Sequence, residues 1–160
     1  MTDSHLSDLR FSSLDLETSL QQGIAKAGFE FCTPIQASTL PIALDGRDVA
    51  GQAQTGTGKT AAFLIAAYQR VLTQSESKKD TDNDSKKVGQ PKIFILAPTR
   101  ELAVQIAKDA EELGKHTGLR IALAFGGTGY EQQRRTIAAG IDLLIGTPGR
   151  IIDYFKQCVF

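Results

Sequence analysis

Cysteine is scarce in this chain of 160 residues: Cys32 and Cys158 stand far apart, with no further ligand at metal spacing. That argues against a disulfide framework or a cysteine-built metal centre and points to idle thiols in a reducing compartment. Neither sign of charge is in excess, since 18 basic residues meet 18 acidic ones. With no long-range basic field, any nucleic-acid binding must come from local geometry. No apolar stretch is long enough to span a bilayer, and the N-terminus has neither the basic nor the apolar region of a signal peptide. The expectation is a cytoplasmic protein with no membrane partner. Histidine is limited to His5, in a polar leader, and His116, near a helix end, neither with visible partners. The length suits one ordinary domain, and 41% hydrophobic content suffices for a single core.

What the chain does have is glycine in a telling place. Ala53-Gln54-Thr55-Gly56-Thr57-Gly58-Lys59-Thr60 follows the short run Asp48-Val49-Ala50-Gly51 and leads into Ala61-Ala62-Phe63-Leu64-Ile65. Strand, glycine loop and helix form the context of a phosphate-binding loop. Gly56 and Gly58 let the backbone curl so that successive N–H groups face an anion, helped by the helix dipole. Lys59 can reach the outer phosphates of a nucleotide, and the Thr60 hydroxyl can ligate Mg²⁺. The general pattern has glycine where Ala53 stands, so the loop is a variant. A flexible surface turn containing Gly-Lys-Thr is the bland alternative.

Leu16, Leu20, Ile24 and Ala27 recur at helix spacing, with Gly28 placed to stop that helix. Thr33 and Pro34 open a second helix as cap and first residue, and Pro41 is expected to end or kink it. The helix after the glycine loop is expected to reach about Leu72. From about 74 to 90 the composition turns to Ser, Lys, Asp and Asn, too polar to fold, which reads as a disordered surface loop. Its basic ends could serve as an RNA arm, but the intervening acids cancel most of that charge. Strands are expected over 92–97, 119–125 and 142–145, with helices over 100–115 and 131–139 and a last helix through Tyr154 and Phe155. The alternation predicts an α/β fold, a parallel sheet with helices on both faces. Ligands of such sheets bind beyond the carboxyl ends of the strands, where the glycine- and proline-marked loops fall.

The words around the glycine loop resemble those of DEAD-box RNA helicases. Phe11 upstream of Gly28-Phe29, then Thr33-Pro34-Ile35-Gln36, is similar to their adenine-reading Q motif (11–36), and 53–60 to their motif I, Ala53 included. Pro98-Thr99-Arg100-Glu101-Leu102-Ala103 matches motif Ia, Gly126-Gly127 the paired-glycine motif and Thr147-Pro148-Gly149-Arg150 motif Ib. The resemblance implies a RecA-like domain that binds ATP with Mg²⁺ in an RNA-stimulated ATPase. For the nucleotide it implies Phe11, Phe29, Thr33, Gln36, Ala53, Gln54, Thr55, Gly56, Thr57, Gly58, Lys59, Thr60 and Ala61, with Lys59 and Thr60 in catalysis. Gln36 matches adenine's donor–acceptor edge, a bidentate pairing worth ~1–3 kcal/mol in the analogous DNA case. Phe11 would stack on the base, worth ~1–3 kcal/mol. For RNA the resemblance implies backbone contacts, blind to sequence and sensitive to salt, from Pro98, Thr99, Arg100, Gly126, Gly127, Thr147, Pro148, Gly149 and Arg150. Without the motifs, Gln36 would read as a surface amide, Phe11 as an anchoring hydrophobe, Arg100 as half of a local ion pair with Glu101, and Arg150 as a surface charge. The phrases at 51–56 and 143–146 are also similar to the bacterial family member that works with the RNA degradosome, whose components are then expected partners.

The chain departs from the family pattern in having no Asp-Glu-Ala-Asp run and no Ser-Ala-Thr motif. The expectation is residues 1–160 as a partial N-terminal RecA-like domain, its C-terminal strands and the second RecA-like domain missing. Turnover by such a chain alone would be negligible, because its hydrolytic carboxylate and arginine finger would be elsewhere. An unpaired sheet edge beside Val49 and Ala50 is the expected structural consequence. A non-catalytic nucleotide- or RNA-binding module stays open as the alternative. A small-molecule kinase would leave motifs Ia and Ib without a use.

Overall fold

The structure, a computed structural model, describes residues 6–77, 90–127 and 129–160. Two compact units share the chain: Met1–Asp80 with Glu112–Thr117, and Thr81–Glu111 with Gly118–Phe160.

The first unit is helical. After a 3-10 turn at Phe11–Ser13 come α1 (Thr18–Lys26), α2 (Pro34–Leu44) and α3 (Lys59–Ser77). Helix α1 stops as its glycine predicts. Gly28 takes φ +81°, the Gly28 N–H donates to the Ala25 carbonyl and the Phe29 N–H to that of Ile24. This pair of bonds is a Schellman motif, and it turns Phe29 back over the end of the helix. Helix α2 starts in a complete capping box. The Thr33 hydroxyl accepts from the Gln36 N–H, and the Gln36 side chain accepts from the Thr33 N–H at 2.8 Å. Pro41 neither ends nor breaks this helix, which continues to Leu44. The proline lies on the solvent side, where water can satisfy the Ala37 carbonyl that loses its partner. Helix α2 packs on α3, and Leu20, Ile24, Leu40, Leu64, Ile65, Tyr68 and Leu113 form the buried centre of the unit.

The second unit holds the sheet. Strands β1 (Ile93–Leu96), β2 (Ile121–Ala124) and β3 (Leu143–Gly146) alternate with α4 (Arg100–Leu113), α5 (Tyr130–Ala138) and α6 (Pro148–Lys156). All pairings are parallel in the order β1-β3-β2, with Leu143 opposite both Ile93 and Ile121. Every residue of β3 is buried, as its unbroken apolar run requires of a central strand. Ala122, Ala124, Ile137, Ile141, Leu144, Ile151, Tyr154 and Val159 make one continuous cluster.

Two further expectations need correction, and one strand is less covered than its neighbours. The edge strand β1 is the less covered one, with Phe94 and Leu96 44% and 57% exposed. Alternate strand residues face opposite sides, and on the side that these two share the Phe160 ring lies 5.7 Å from that of Phe94. Residues 48–51 form no strand, because no described neighbour gives them a ladder partner. The expected loop from Gln74 begins later, since α3 carries the chain to Ser77; residues 78–89 lie outside the described residues.

Candidate functional site

In the first unit the capping box of α2 and the glycine loop are fastened to each other. The Thr33 hydroxyl donates to the Thr57 carbonyl at 2.8 Å, and the Gln36 side-chain amide donates to the Gly58 carbonyl at 3.1 Å. The Thr57 hydroxyl donates to the Gln54 carbonyl at 2.8 Å. Lys59 Nζ donates to the Ala53 carbonyl at 2.5 Å and also to that of Gln54. The carbonyls of 53, 54, 57 and 58 are thus all engaged, while Gly56 and Gly58 take φ +79° and +88°. Among the described residues the N–H groups of Gly56, Gly58, Lys59 and Thr60 find no acceptor. A loop with its carbonyls tied back and its amides free, at the N-terminus of a 19-residue helix, is an anion receptor.

Gln36 is 3% exposed, so its amide is a built-in part of the loop's wall rather than a surface group. Its amide oxygen and nitrogen each hold one internal bond, which leaves one lone pair and one N–H. Phe11, expected to offer a ring for stacking, is itself only 3% exposed, its centroid 6.1 Å from that of Phe29. Phe29 is the more open ring. Both line a cleft of about 410 Å³ together with Ser12, Gln21, Ile24 and Gly28. Burial pushes the nearby Cys32 thiol up and keeps it protonated, in keeping with an idle thiol.

Mg²⁺ fits this loop only in company with a nucleotide. No group of three or more His, Cys, Asp or Glu able to hold a metal occurs among the described residues. The Thr60 hydroxyl at the start of α3 would supply one oxygen ligand, and phosphate oxygens and water the others.

In the second unit the remaining motifs meet at one end of the sheet. The strands are parallel, so the loops after β1, β2 and β3 emerge together and carry Pro98–Arg100, Gly126–Gly127 and Thr147–Arg150. Pro98, Thr99, Arg100, Gly126, Gly127, Pro148 and Gly149 are exposed, and Thr147 and Arg150 half-buried. The Thr99 oxygen accepts from the Leu102 N–H at 3.3 Å, which caps α4 and leaves the O–H to donate. Thr147, the residue before α6, spends no side-chain bond on capping. Arg100 does not form the ion pair with Glu101 that a bland reading would give it; its guanidinium lies 4.6 Å from the Phe125 ring. Arg150 is not a plain surface charge either. It donates to Gln133 at 3.1 Å and to the Tyr154 hydroxyl at 3.3 Å. Phe125, Gln133 and Tyr154 were missed from the sequence because they belong to no motif and sit in an ordinary strand end and two ordinary helices.

Comparison with known proteins agrees with this geometry. The family model described as DEAD/DEAH box helicase matches residues 33–159. The chain belongs to that family. It is 58% identical over 157 residues to the ATP-dependent RNA helicase RhlB of Histophilus somni, covering 98% of this chain and 36% of that one. To the protein of the same name from Shewanella piezotolerans it is 54% identical, covering 99% of this chain and 35% of that one. A crystal structure of a DEAD box protein from the hyperthermophile Methanococcus jannaschii superposes with a TM-score of 0.77 at 31% identity, over 94% of this chain and 38% of that one. The chain thus spans a little over a third of the length of these proteins, and its fold is the RecA-like α/β domain, in part. No helix among the described residues is long and apolar enough to cross a membrane.

Proposed function

We propose that this chain is the nucleotide-binding portion of an ATP-dependent RNA helicase and contributes one side of its RNA groove. The observation that carries the nucleotide half is the glycine loop, whose carbonyls are tied back while the amides of Gly56, Gly58, Lys59 and Thr60 stay free. In this reading the triphosphate lies against those amides and against Ala53, Gln54, Thr55 and Ala61. Lys59 exchanges its two neutral carbonyl acceptors for phosphate oxygens, and Thr60 would hold Mg²⁺, which would supply positive charge beside the phosphates. The adenine edge meets the remaining lone pair and N–H of Gln36, close to Thr33, and its face meets the Phe11–Phe29 pair.

RNA would cross the sheet end. Arg100, Arg150 and the hydroxyls of Thr99 and Thr147 would bond phosphates, while Gly126, Gly127 and Gly149 give close access. Base edges take no part, so binding is nonspecific and weakens with salt. The relatives' common name, ATP-dependent RNA helicase RhlB, supports both halves. The phrases at 51–56 and 143–146 support RNA degradosome components as partners, and two cysteines left as free thiols support a cytoplasmic site.

The test is Lys59→Ala in an equilibrium titration with Mg-ATP. Removing one charge-assisted bond, about 1.5–3 kcal/mol, predicts at least about tenfold weaker binding. A change of less than about twofold would count against the assignment.

A further inference from the structure

Helix α5 carries a polar residue that behaves unlike its neighbours. Glu131, Gln132, Arg134, Arg135 and Thr136 are exposed, whereas Gln133 turns inward. Its side-chain oxygen accepts from the Phe125 N–H at 3.2 Å, and its nitrogen donates to the Phe125 carbonyl at 3.3 Å. One amide therefore occupies both backbone groups of the residue just before Gly126-Gly127, as a neighbouring strand would. The same oxygen accepts from Arg150 Nη1 at 3.1 Å. Arg150 is held from its other sides too. Its guanidinium lies 4.8 Å from the Tyr130 ring and 5.3 Å from that of Tyr154, whose hydroxyl donates to the Tyr130 carbonyl at 2.7 Å. Phe125, pinned by Gln133, supplies the ring on which Arg100 rests.

Two arginines from two different loops are therefore held through one amide. We propose that Gln133 is a positioning residue for the RNA groove, fixing the paired-glycine loop and orienting Arg100 and Arg150 toward successive phosphates of one strand. It touches no RNA itself. Without it each arginine samples more rotamers and engages its phosphate only part of the time. A guanidinium already stacked and hydrogen-bonded surrenders less rotamer freedom on binding. The proposal rests on the RNA-binding reading above and adds to it a residue outside every motif of that reading.

The experiment measures binding of the 160-residue chain to a fluorescent single-stranded oligonucleotide across a salt series, for the parent, Gln133→Ala and Gln133→Met. The methionine variant keeps the side-chain volume without the hydrogen bonds, so it reports even if the alanine variant fails to fold. Gln132→Ala, on the exposed side of α5, serves as the control. The expected result is about tenfold weaker RNA binding, as for one charged hydrogen bond removed, with Mg-ATP affinity unchanged. The slope of log affinity against log salt should shrink by about 0.7 for each phosphate that is no longer neutralised, which a merely structural role would not produce. Unchanged affinity and slope in a folded Gln133→Met variant would overturn the proposal while leaving the RNA reading intact. Failure of the parent to bind RNA at all would overturn both.

Discussion

Gln36 is where chemistry and folding share one side chain. The same amide caps α2, ties down the Gly58 carbonyl and is proposed to meet the adenine. The motif suggests the adenine contact, but the bond to Gly58 could not be read from the sequence, because 22 residues separate the partners and nothing local signals their contact. Gly58 shows why the loop tolerates little else. A Cβ there would stand 2.4 Å from the Gln36 side-chain nitrogen, on a backbone already at φ +88°. Left-handed backbone costs an L-residue about 1–2 kcal/mol, and displacing the buried amide adds about 1–3 kcal/mol. Gly58→Ala should therefore lose most Mg-ATP binding at micromolar nucleotide and melt earlier than the parent. A variant that binds like the parent would contradict the close fastening of loop and cap.

At the level of elements, helices are the most legible in the sequence, since apolar spacing and caps are local signals. Gly28 and Thr33-Pro34 bound α1 and α2 as their chemistry dictates. Strand expectations hold where a partner exists and fail where none does. Asp48-Val49-Ala50-Gly51 looks like the three true strands in composition, but a strand is defined by its neighbour, which a single run of residues does not encode. Pro41 misleads for a similar reason, because its effect depends on whether water reaches the carbonyl one turn back. Hydrogen exchange distinguishes the two kinds of apolar run. The amides of Val49 and Ala50 should exchange fast, while those of Leu144 and Ile145, buried in a strand paired on both sides, should be strongly protected. Equal protection would mean that 48–51 is paired after all.

For the molecule as a whole, the balance of charge hides local arrangements that act in opposite places. At the amino end of the sheet Asp142 gathers Lys92 at 3.1 Å and the Arg120 N–H at 3.0 Å. Partial burial pushes its carboxyl up, but the Arg120 N–H and the Lys92 and Arg120 charges outweigh this and hold it below the ordinary carboxylate value. A depressed folded-state value means stability that is present above the unfolded carboxylate range and lost as pH falls through the folded value. Asp142→Asn should thus be less stable than the parent near pH 7, with the gap closing on acidification. A gap that persists or widens in acid would contradict this assignment.

Where the nucleotide sits decides the rest, and the backbone amides of the glycine loop report that directly. In a ¹⁵N-labelled chain titrated with Mg-ATP, the largest shifts should fall at the amides of 56–60 and at the Gln36 side-chain NH₂. Saturable ATP binding that leaves those signals in place and moves others would contradict the assignment.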